Sequence, residues 1–220
     1  MSSPRTAELA ADPRVRRGME AQLAMRSDRL AAGDEPLGWK VGFGTPQAFD
    51  KLGTSAPLVG FLMRSALVSS GSSYSLDGFS GPALEPEVAV RVGERSVAAA
   101  LGPAFEIADV EPTDDVERIL AGDIFQRGVM LGPMAERPRL DGDARVVVNG
   151  EATTVADPEA LPGRIPELLA HVGDFLPAFG EELRAGDIVI TGSIVPPLAV
   201  RPGDRVEYEL EGAGSVSISF

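Results

Sequence analysis

The chain has 220 residues, 44% of them hydrophobic, and its 33 acidic and 20 basic side chains leave a formal net charge of −13. Such a chain is long and apolar enough for one large domain with a real core, while its negative charge argues against nucleic acids and anionic membranes as partners. The absence of cysteine excludes disulfides, thiolate metal ligands and a cysteine nucleophile.

The N-terminal region is predicted to be helical. Its first residues lack the apolar core of a secretion signal, and no stretch approaches the ~20 apolar residues of a membrane helix, so we expect a cytoplasmic protein. Apolar residues recur at helical spacing over residues 4–32, which predicts one helix that Gly33 ends. An extended stretch, 37–43, precedes a short helix with Thr45 as N-cap, Pro46 in its first turn and Gly53 as its stop.

From about residue 56 onward, short extended stretches alternate with turns rich in Gly, Pro and Asp. Asn149-Gly150 is a hairpin signal. Helices are predicted over 114–121 and 161–179. The pattern predicts an α+β protein that is mainly β, with helices packed outside. The predicted strands are 58–63, 83–92, 104–110, 128–131, 144–148, 187–191 and 205–220.

Three glutamates form the most informative pattern. Glu85 and Glu87 stand two apart in an apolar stretch, so in a strand their carboxylates point to the same side, away from Pro86 and Val88. Glu106, in the next predicted strand, would complete one face of an octahedron. An all-oxygen set of this kind suits Mg²⁺ or Mn²⁺ better than Zn²⁺. The alternative is a solvated acidic strand face, which is common in acidic proteins.

Histidine and lysine are both rare. The single histidine, His171, is predicted on a helix surface or partly packed, with no partner nearby, so acid–base work would fall to carboxylates, lysine or water. Lys40 and Lys51 are the only lysines. Lys40 stands in an apolar strand flanked by glycine, where a charge is costly, and unlike arginine it can lose its proton. A structural pairing with a carboxylate is the alternative for Lys40, whereas Lys51 is expected to be solvated.

In these features the chain resembles the 2-keto-4-pentenoate hydratase family, a branch of the fumarylacetoacetate hydrolase superfamily. Each matching segment is weak alone, but together and in order they are specific, and they cover nearly the whole chain. The segments are Arg29-Leu-Ala-Ala-Gly, Gly38-Trp-Lys-Val-Gly, Lys51-Leu-Gly, Leu84-Glu-Pro-Glu-Val-Ala-Val, Pro103-Ala-Phe-Glu-Ile-Ala-Asp, Val129-Met-Leu-Gly, Asn149-Gly-Glu, Leu183-Arg-Ala-Gly-Asp-Ile-Val-Ile-Thr-Gly-Ser, Pro202-Gly-Asp-Arg-Val and Gly214-Ser-Val-Ser-Ile-Ser-Phe.

The resemblance implies a fold and a reaction. The fold is a mixed β-roll catalytic domain, residues 58–220, fronted by a small N-terminal helical lobe, residues 1–57, the two forming one functional unit. The reaction is that of a divalent-metal-dependent lyase, a hydratase or related decarboxylase, on a short 2-oxo-4-enoic acid such as 2-oxopent-4-enoate from aromatic-ring cleavage. The resemblance also implies a homo-oligomer that can associate with a related decarboxylase or hydratase.

The resemblance also assigns roles to residues. Glu85, Glu87 and Glu106 would hold Mg²⁺ or Mn²⁺, on which the carboxylate and keto oxygen of the substrate chelate. Lys40 matches the family's lysine and would move a proton during catalysis. Gly192 and Ser193 match a segment that lines the substrate end of the pocket.

The chain departs from the family pattern in three places. Thr54-Ser55-Ala56 follows Lys51-Leu-Gly where an acidic residue is common, and the stretch between Val92 and Pro103 is short, as though a helix were missing. Asp123-Ile-Phe-Gln-Arg127 replaces an Asp-Asn-Ala-Ser-like segment. Two alternatives therefore stay open: a hydrolase that cleaves a C–C bond of an acylpyruvate or fumarylacetoacetate-type substrate, and a non-catalytic or degenerate partner subunit.

Overall fold

The structure of the chain is a computed structural model that describes residues 3–136, 140 and 142–220. Met1 and Ser2, which belong to the predicted N-terminal lobe, lie outside the described residues. The α-helices are α1 (Pro4–Ala11), α2 (Pro13–Ala31), α3 (Pro46–Leu52), α4 (Val116–Ala121) and α5 (Ile165–Phe175). The strands are β1 (Pro36–Gly42), β2 (Leu58–Met63), β3 (Leu67–Val68), β4 (Pro82–Val92), β5 (Ala98–Asp109), β6 (Gln126–Leu131), β7 (Ala144–Val148), β8 (Glu151–Val155), β9 (Ile188–Ser193), β10 (Leu198–Ala199), β11 (Arg205–Leu210) and β12 (Gly214–Ser219).

The single N-terminal helix predicted over residues 4–32 is wrong, because the structure has two helices with a break at Asp12. Asp12 has an extended backbone, with ψ of 123°, and its side chain accepts the amide hydrogen of Arg14. The ring of Pro13 disfavours a helical conformation in the residue before it and suits the first position of a new helix. The short helix α3 is confirmed, since Thr45 caps Ala48 and Gly53 ends the helix in the left-handed conformation.

The larger sheet has the order β2-β1-β9-β4-β5-β6-β3, with β10 paired to β4. It is mixed, because β1 runs parallel to β9 and β3 parallel to β6, whereas the remaining pairs are antiparallel. β5 begins at Ala98, six residues before the predicted start, since a turn at Glu94–Ser96 joins it directly to β4. β1 is a central strand of this sheet although its residues fall within the predicted lobe of 1–57, and the division at residue 57 remains a prediction.

The smaller sheet has the order β12-β11-β7-β8. Asn149 and Gly150, both with positive φ, form the tight turn between β7 and β8, as the hairpin signal predicts. The stretch predicted as one strand over 205–220 is a second hairpin, with β11 and β12 antiparallel around the turn at residues 211–213. Phe105 of the larger sheet packs on Tyr208 of the smaller one, with ring centroids 5.9 Å apart.

The two faces of the larger sheet differ in the size of their side chains. One face carries large buried residues such as Trp39, Phe61 and Phe105, which join the main core. The opposite face carries a smaller cluster that includes Ala89, Ala104, Val129 and Ile190. Small side chains leave room above this second face, where the polar residues of the strands also lie.

The larger sheet is curled around its small-residue face. Lys40 on β1 contacts Glu106 on β5 although β9 and β4 lie between these strands. Three strand spacings would separate β1 from β5 by roughly 14 Å in a flat sheet, so the sheet has to bend for the two side chains to meet. The α+β fold with a curled mixed β-roll is thereby confirmed. None of the described helices is both long enough and apolar enough to cross a membrane.

Candidate metal and substrate site

The three glutamates converge as their spacing predicts. Glu85 and Glu87 point to the same side of β4, and Glu106 on β5 lies directly opposite Glu85 in the antiparallel register. One carboxylate oxygen from each of the three lies within 4.8 Å of the others. Like charges directly opposite on neighbouring strands destabilise a sheet, so this arrangement requires a compensating positive charge or protons.

Two of the three glutamates are buried, so water cannot compensate their charges. Glu87 is fully buried and Glu106 is 2% exposed. Oε2 of Glu87 accepts the amide hydrogen of Gly192 at 2.7 Å, while Oε1 has no hydrogen-bond partner among the described residues. Burial, reinforced by the neighbouring charge of Glu106, raises the pKa of Glu85 to about 7 and raises that of Glu87 well above its usual range. A buried carboxylate oxygen without a partner, within a set of three, fits a hard divalent cation such as Mg²⁺ or Mn²⁺.

Lys40 supplies one positive charge to this cluster. Its side chain is 2% exposed, and Nζ contacts Oε1 of Glu106 and donates to the carbonyl oxygen of Ile124 at 3.1 Å. Burial lowers the pKa of Lys40, but the carboxylates of Glu106 and Asp123 raise it by more, so that it lies above its ordinary value. The ammonium form of Lys40 is therefore stabilised beside Glu106, and its side chain lines the neighbouring cavity.

Asp123 is a site residue that sequence reasoning missed. It is 2% exposed; Oδ1 accepts the amide hydrogen of Phe61 at 2.9 Å, and Oδ2 has no partner among the described residues. Burial raises the pKa of Asp123 to about 7. In the sequence the segment stands out only as a departure from the family pattern. A polar residue between Gly122 and two large apolar residues was the available signal.

The backbone around Asp123 is strained. Asp123, Ile124 and Phe125 have φ of 52°, 51° and 67°, in the left-handed region that β-branched and bulky residues avoid. This turn directs the carbonyl oxygen of Ile124 toward Nζ of Lys40. Strain of this kind persists only where the surrounding structure holds it, and it concentrates at functional sites.

Gly60 on β2 makes room for both side chains. It is the antiparallel partner of Lys40. A Cβ atom at Gly60 would lie 2.8 Å from Oδ1 of Asp123 and 2.8 Å from Cγ of Lys40. The missing side chain therefore allows the lysine stem and the aspartate to pack side by side.

A cavity of about 290 Å³ opens beside the cluster. Lys40, Glu85 and Glu106 line it, together with Gly192 and Ser193, which are the two predicted substrate-binding residues. The amide of Gly192 is already used by Glu87, and the hydroxyl of Ser193 donates to the carbonyl oxygen of Pro86 at 3.4 Å. Both residues therefore lie at the cavity, and their contact with substrate remains a prediction.

The prediction that His171 has no partner is wrong. The side chain is 7% exposed, with Nδ1 2.9 Å from Oγ1 of Thr6 and Nε2 2.9 Å from the carbonyl oxygen of Pro57. A carbonyl only accepts, so Nε2 carries the proton and Nδ1 accepts from the Thr6 hydroxyl. Burial lowers the pKa of His171. His171 ties α5 to α1 and does not line the cavity beside the glutamates.

The family comparison matches most of the chain. The model of the fumarylacetoacetate (FAA) hydrolase C-terminal family matches residues 41–219. A 2-hydroxyhexa-2,4-dienoate hydratase from Comamonas testosteroni is 28% identical over 213 residues, covering 87% of this chain and 81% of that protein. A 4-oxalocrotonate decarboxylase from a Pseudomonas species is 26% identical over 238 residues, covering 100% of this chain and 93% of that protein.

Solved structures share the fold. The 4-oxalocrotonate decarboxylase from Pseudomonas putida G7, complexed with magnesium and adipate, superposes with a TM-score of 0.82 at 24% identity, covering 92% of this chain and 84% of the other. A fumarylpyruvate hydrolase from Pseudomonas aeruginosa, in complex with Mn²⁺ and pyruvate, reaches a TM-score of 0.61 at 16% identity, covering 82% of this chain and 87% of the other. At these identities the superpositions establish a common fold.

Proposed function

The chain belongs to the fumarylacetoacetate hydrolase C-terminal family, and from that premise we propose that it is a divalent-metal-dependent lyase acting on a short 2-oxo-4-enoic acid, as a hydratase or a related decarboxylase. The observation that carries the proposal is the buried cluster of Glu85, Glu87 and Glu106 beside Lys40, at one end of a small cavity. The names of the hydratase and decarboxylase relatives support the reaction class. A place in the breakdown of aromatic-ring cleavage products is part of the proposal and follows from the family resemblance.

The proposed metal ligands are Glu85, Glu87 and Glu106, with Mg²⁺ or Mn²⁺ as the ion. When bound, the ion supplies the positive charge on which the carboxylate and keto oxygen of a 2-oxo acid can chelate, and it withdraws electrons from the keto carbon. The amide of Gly192 orients Glu87 for this role by holding Oε2. Outer-shell hydrogen bonds of this kind orient a ligand toward its metal.

Lys40 is the proposed proton donor. The dienol form of the substrate gains a proton on C3 or C5 when it becomes the ketone, and a cationic amine in the cavity can deliver that proton. If the first proton goes to C5, the remaining C3=C4 double bond is conjugated with the ketone, and hydration adds the oxygen of water to C4 and a proton to C3. If the first proton goes to C3, the C4=C5 double bond remains, and hydration adds the oxygen of water to C4 and a proton to C5. The product is a 4-hydroxy-2-oxo acid, and no atom requires an external oxidant or reductant.

Two alternatives have weaker support. C–C bond hydrolysis needs a base that activates water, and the single histidine, His171 on α5, contacts Thr6 and Pro57 and does not line the cavity. A non-catalytic partner role is favoured by Thr54-Ser55-Ala56, where an acid is common in the family. Within that segment the hydroxyl of Ser55 donates to the carbonyl oxygen of Arg5. The intact glutamate cluster and Lys40 argue against a non-catalytic role.

The direct test is to incubate the protein with 2-hydroxypenta-2,4-dienoate and Mg²⁺ and to follow the loss of dienol absorbance. A lyase of this class removes the absorbance only when metal is present, and mass spectrometry identifies the hydrated product. The same sample with excess chelator is the control. If neither the dienol nor a vinylogous 2-oxo diacid is consumed in a metal-dependent way, the partner role replaces the enzymatic one.

A further inference from the structure

The cavity beside the glutamates has two chemically different ends. Among the described residues that line it, the charged groups are Lys40, Glu85 and Glu106, and all three lie at one end. The rest of the lining comes from several strands and the loops beside them, and its larger side chains are apolar. They include Phe43, Val110, Phe125, Leu161, Val195 and Pro197.

The apolar end is ordered by contacts between these segments. The rings of Phe43 and Phe125 pack edge to face with centroids 6.5 Å apart. Val110 and Leu161 are 37% and 39% exposed, although large apolar side chains are usually buried. Because both line the cavity, their unburied surface is available to an apolar group that enters it.

The apolar end offers no counter-charge for a second anion. Among the described residues that line the cavity, Lys40 is the only cation, and it already contacts Glu106 and Ile124. Arg164, two residues beyond the lining residue Pro162, is paired with Asp157 at 3.0 Å and Glu159 at 3.2 Å.

Two uncharged hydroxyl groups also lie near the apolar end. The hydroxyl of Thr45 accepts the amide hydrogen of Ala48, and that of Thr191 donates to the carbonyl oxygen of Val88. A carboxylate placed at this end would lose part of its hydration and would find no positive charge among the described residues that line this end, which is costly. The net charge of −13 adds to the repulsion.

We infer that this cavity selects 2-oxo acids with a single carboxylate and a short uncharged apolar tail, and discriminates against 2-oxo diacids. The inference rests on the proposed function, since it takes the glutamate end as the place where the 2-oxo acid group binds. It assigns the chain to hydration of a monocarboxylic 2-oxo-4-enoate rather than decarboxylation of a diacid. The tail lies against Val110, Phe125 and Leu161.

The test compares two unreactive acids with the same six-carbon chain, 2-oxohexanoate and 2-oxoadipate, by calorimetry on the Mn²⁺-loaded protein. Oxalate has no tail, so its affinity measures binding at the glutamate end of the cavity alone. We expect 2-oxohexanoate to bind at least about tenfold more tightly than 2-oxoadipate, a difference of about 1.4 kcal/mol.

A second test adds a positive charge to the apolar end and measures the change in preference between the two acids, so that it does not depend on how tightly either acid binds. Leu161→Lys should shift the preference at least about tenfold toward the diacid, because it supplies the missing cation, while Leu161→Gln of similar size should not. Val110→Arg offers a second position if Leu161→Lys fails to fold. Each affinity is read as a ratio to that of oxalate for the same variant.

The outcomes separate the two proposals. If oxalate does not bind with Mn²⁺, the proposed function fails. If oxalate binds but the two six-carbon acids bind equally, or if the protein decarboxylates a vinylogous 2-oxo diacid faster than it hydrates 2-hydroxypenta-2,4-dienoate, the inference about the tail is overturned. The turnover comparison is needed because an apolar environment also favours loss of CO₂ from a carboxylate.

Discussion

At the scale of single residues, the site places more buried carboxyl groups together than the neighbouring cation can neutralise. Among the residues that the structure describes, Glu85, Glu87, Glu106 and Asp123 lie close together, and Lys40 is the cation that contacts this group. Removing charges from water costs several kcal/mol per ion unless each finds a partner. Buried charge that is only partly compensated is retained where it serves binding or chemistry, and the predictions at this scale test the individual side chains.

Replacing Glu87 by Gln should weaken Mn²⁺ binding by at least about tenfold, because changes to outer-shell partners alone cost about 10–100-fold and Glu87 is a proposed direct ligand. Calorimetry measures the affinity, and circular dichroism checks that the variant folds. Glu151→Gln, an exposed position in the smaller sheet, removes the same charge and serves as the control. Equal affinities of Glu87→Gln and the wild type would refute the ligand assignment.

Replacing Lys40 by Arg should abolish turnover while Mn²⁺ and oxalate still bind, because arginine keeps the charge but does not release its proton. Lys40→Met is the second variant, in case arginine does not fit the buried site. Since methionine also removes the cation that contacts Glu106, its Mn²⁺ affinity should equal or exceed that of the wild type. Near wild-type turnover in both variants would leave Lys40 with a structural role only.

At the scale of elements, the site depends on how neighbouring segments are held. β1 and β2 bring Lys40 beside Gly60, and the turn after α4 carries Asp123 and the carbonyl oxygen of Ile124 to the same place. Helices α1 and α5 are joined to each other away from this site, by the hydrogen bond between Thr6 on α1 and His171 on α5. These contacts are distant in sequence, so each can be tested by a change that leaves the glutamates untouched.

Gly60→Ala should lower turnover and destabilise the protein by about 1–3 kcal/mol, because the added methyl group overlaps both Asp123 and Lys40. Gly173→Ala is the matched control. It lies in α5, where the nearest atom to the added methyl group would be 3.8 Å away, and it should be neutral or stabilising. Denaturant unfolding measures stability. Equal activity in the two variants would show that the packing around Lys40 is not needed for catalysis.

His171 should make stability depend on pH. Burial lowers its pKa in the folded protein, although the carbonyl of Pro57 and the charge of Asp174 act the other way. As pH falls below about 6.5, the unfolded chain binds a proton that the folded chain refuses, so stability is full above this pH and declines below it.

The measurement is the difference in melting temperature between pH 7.5 and pH 5.5, in chelator, for wild type and His171→Gln. The raised pKa values of Glu85 and Asp123 oppose the trend, but they are common to both proteins. The wild type should lose more stability than the variant on acidification. Parallel pH curves would contradict the assignment of a neutral buried histidine.

At the scale of the whole molecule, we expect metal binding at the glutamate cluster to be coupled to the stability of the folded protein. Carboxylates that repel each other in the folded state lower its stability, and a cation bound there removes that penalty. At a metal concentration 100 times the dissociation constant, the folded state should gain about 2.7 kcal/mol.

For a chain of this size the metal should therefore raise the melting temperature by about 5–10 °C. Melts in Mg²⁺ and in excess chelator measure the shift. Glu87→Gln in the same two buffers is the control, and it should show a smaller difference. Identical melting temperatures of the wild type with and without millimolar Mg²⁺ would indicate that the glutamates form an acidic cluster without a metal.

Features that obey short-range rules could be predicted from the sequence. The side-chain period of a strand places Glu85 and Glu87 on one side, and the caps of α3 follow from Thr45, Pro46 and Gly53. The hairpin at Asn149-Gly150 is likewise local, because its turn needs positive φ at both residues. The family resemblance added the fold and the reaction class, since it combines many such short segments in order.

Contacts between residues that are distant in sequence could be read only from the folded structure. The curl of the sheet brings Lys40 to Glu106 across two intervening strands, and a strained turn delivers Asp123 to the same place. His171 has two partners far from it in sequence, at Thr6 and Pro57. The apolar end of the cavity is assembled from separate loops. No local period encodes such contacts, because they depend on how the sheet bends and on which loops its ends bring together.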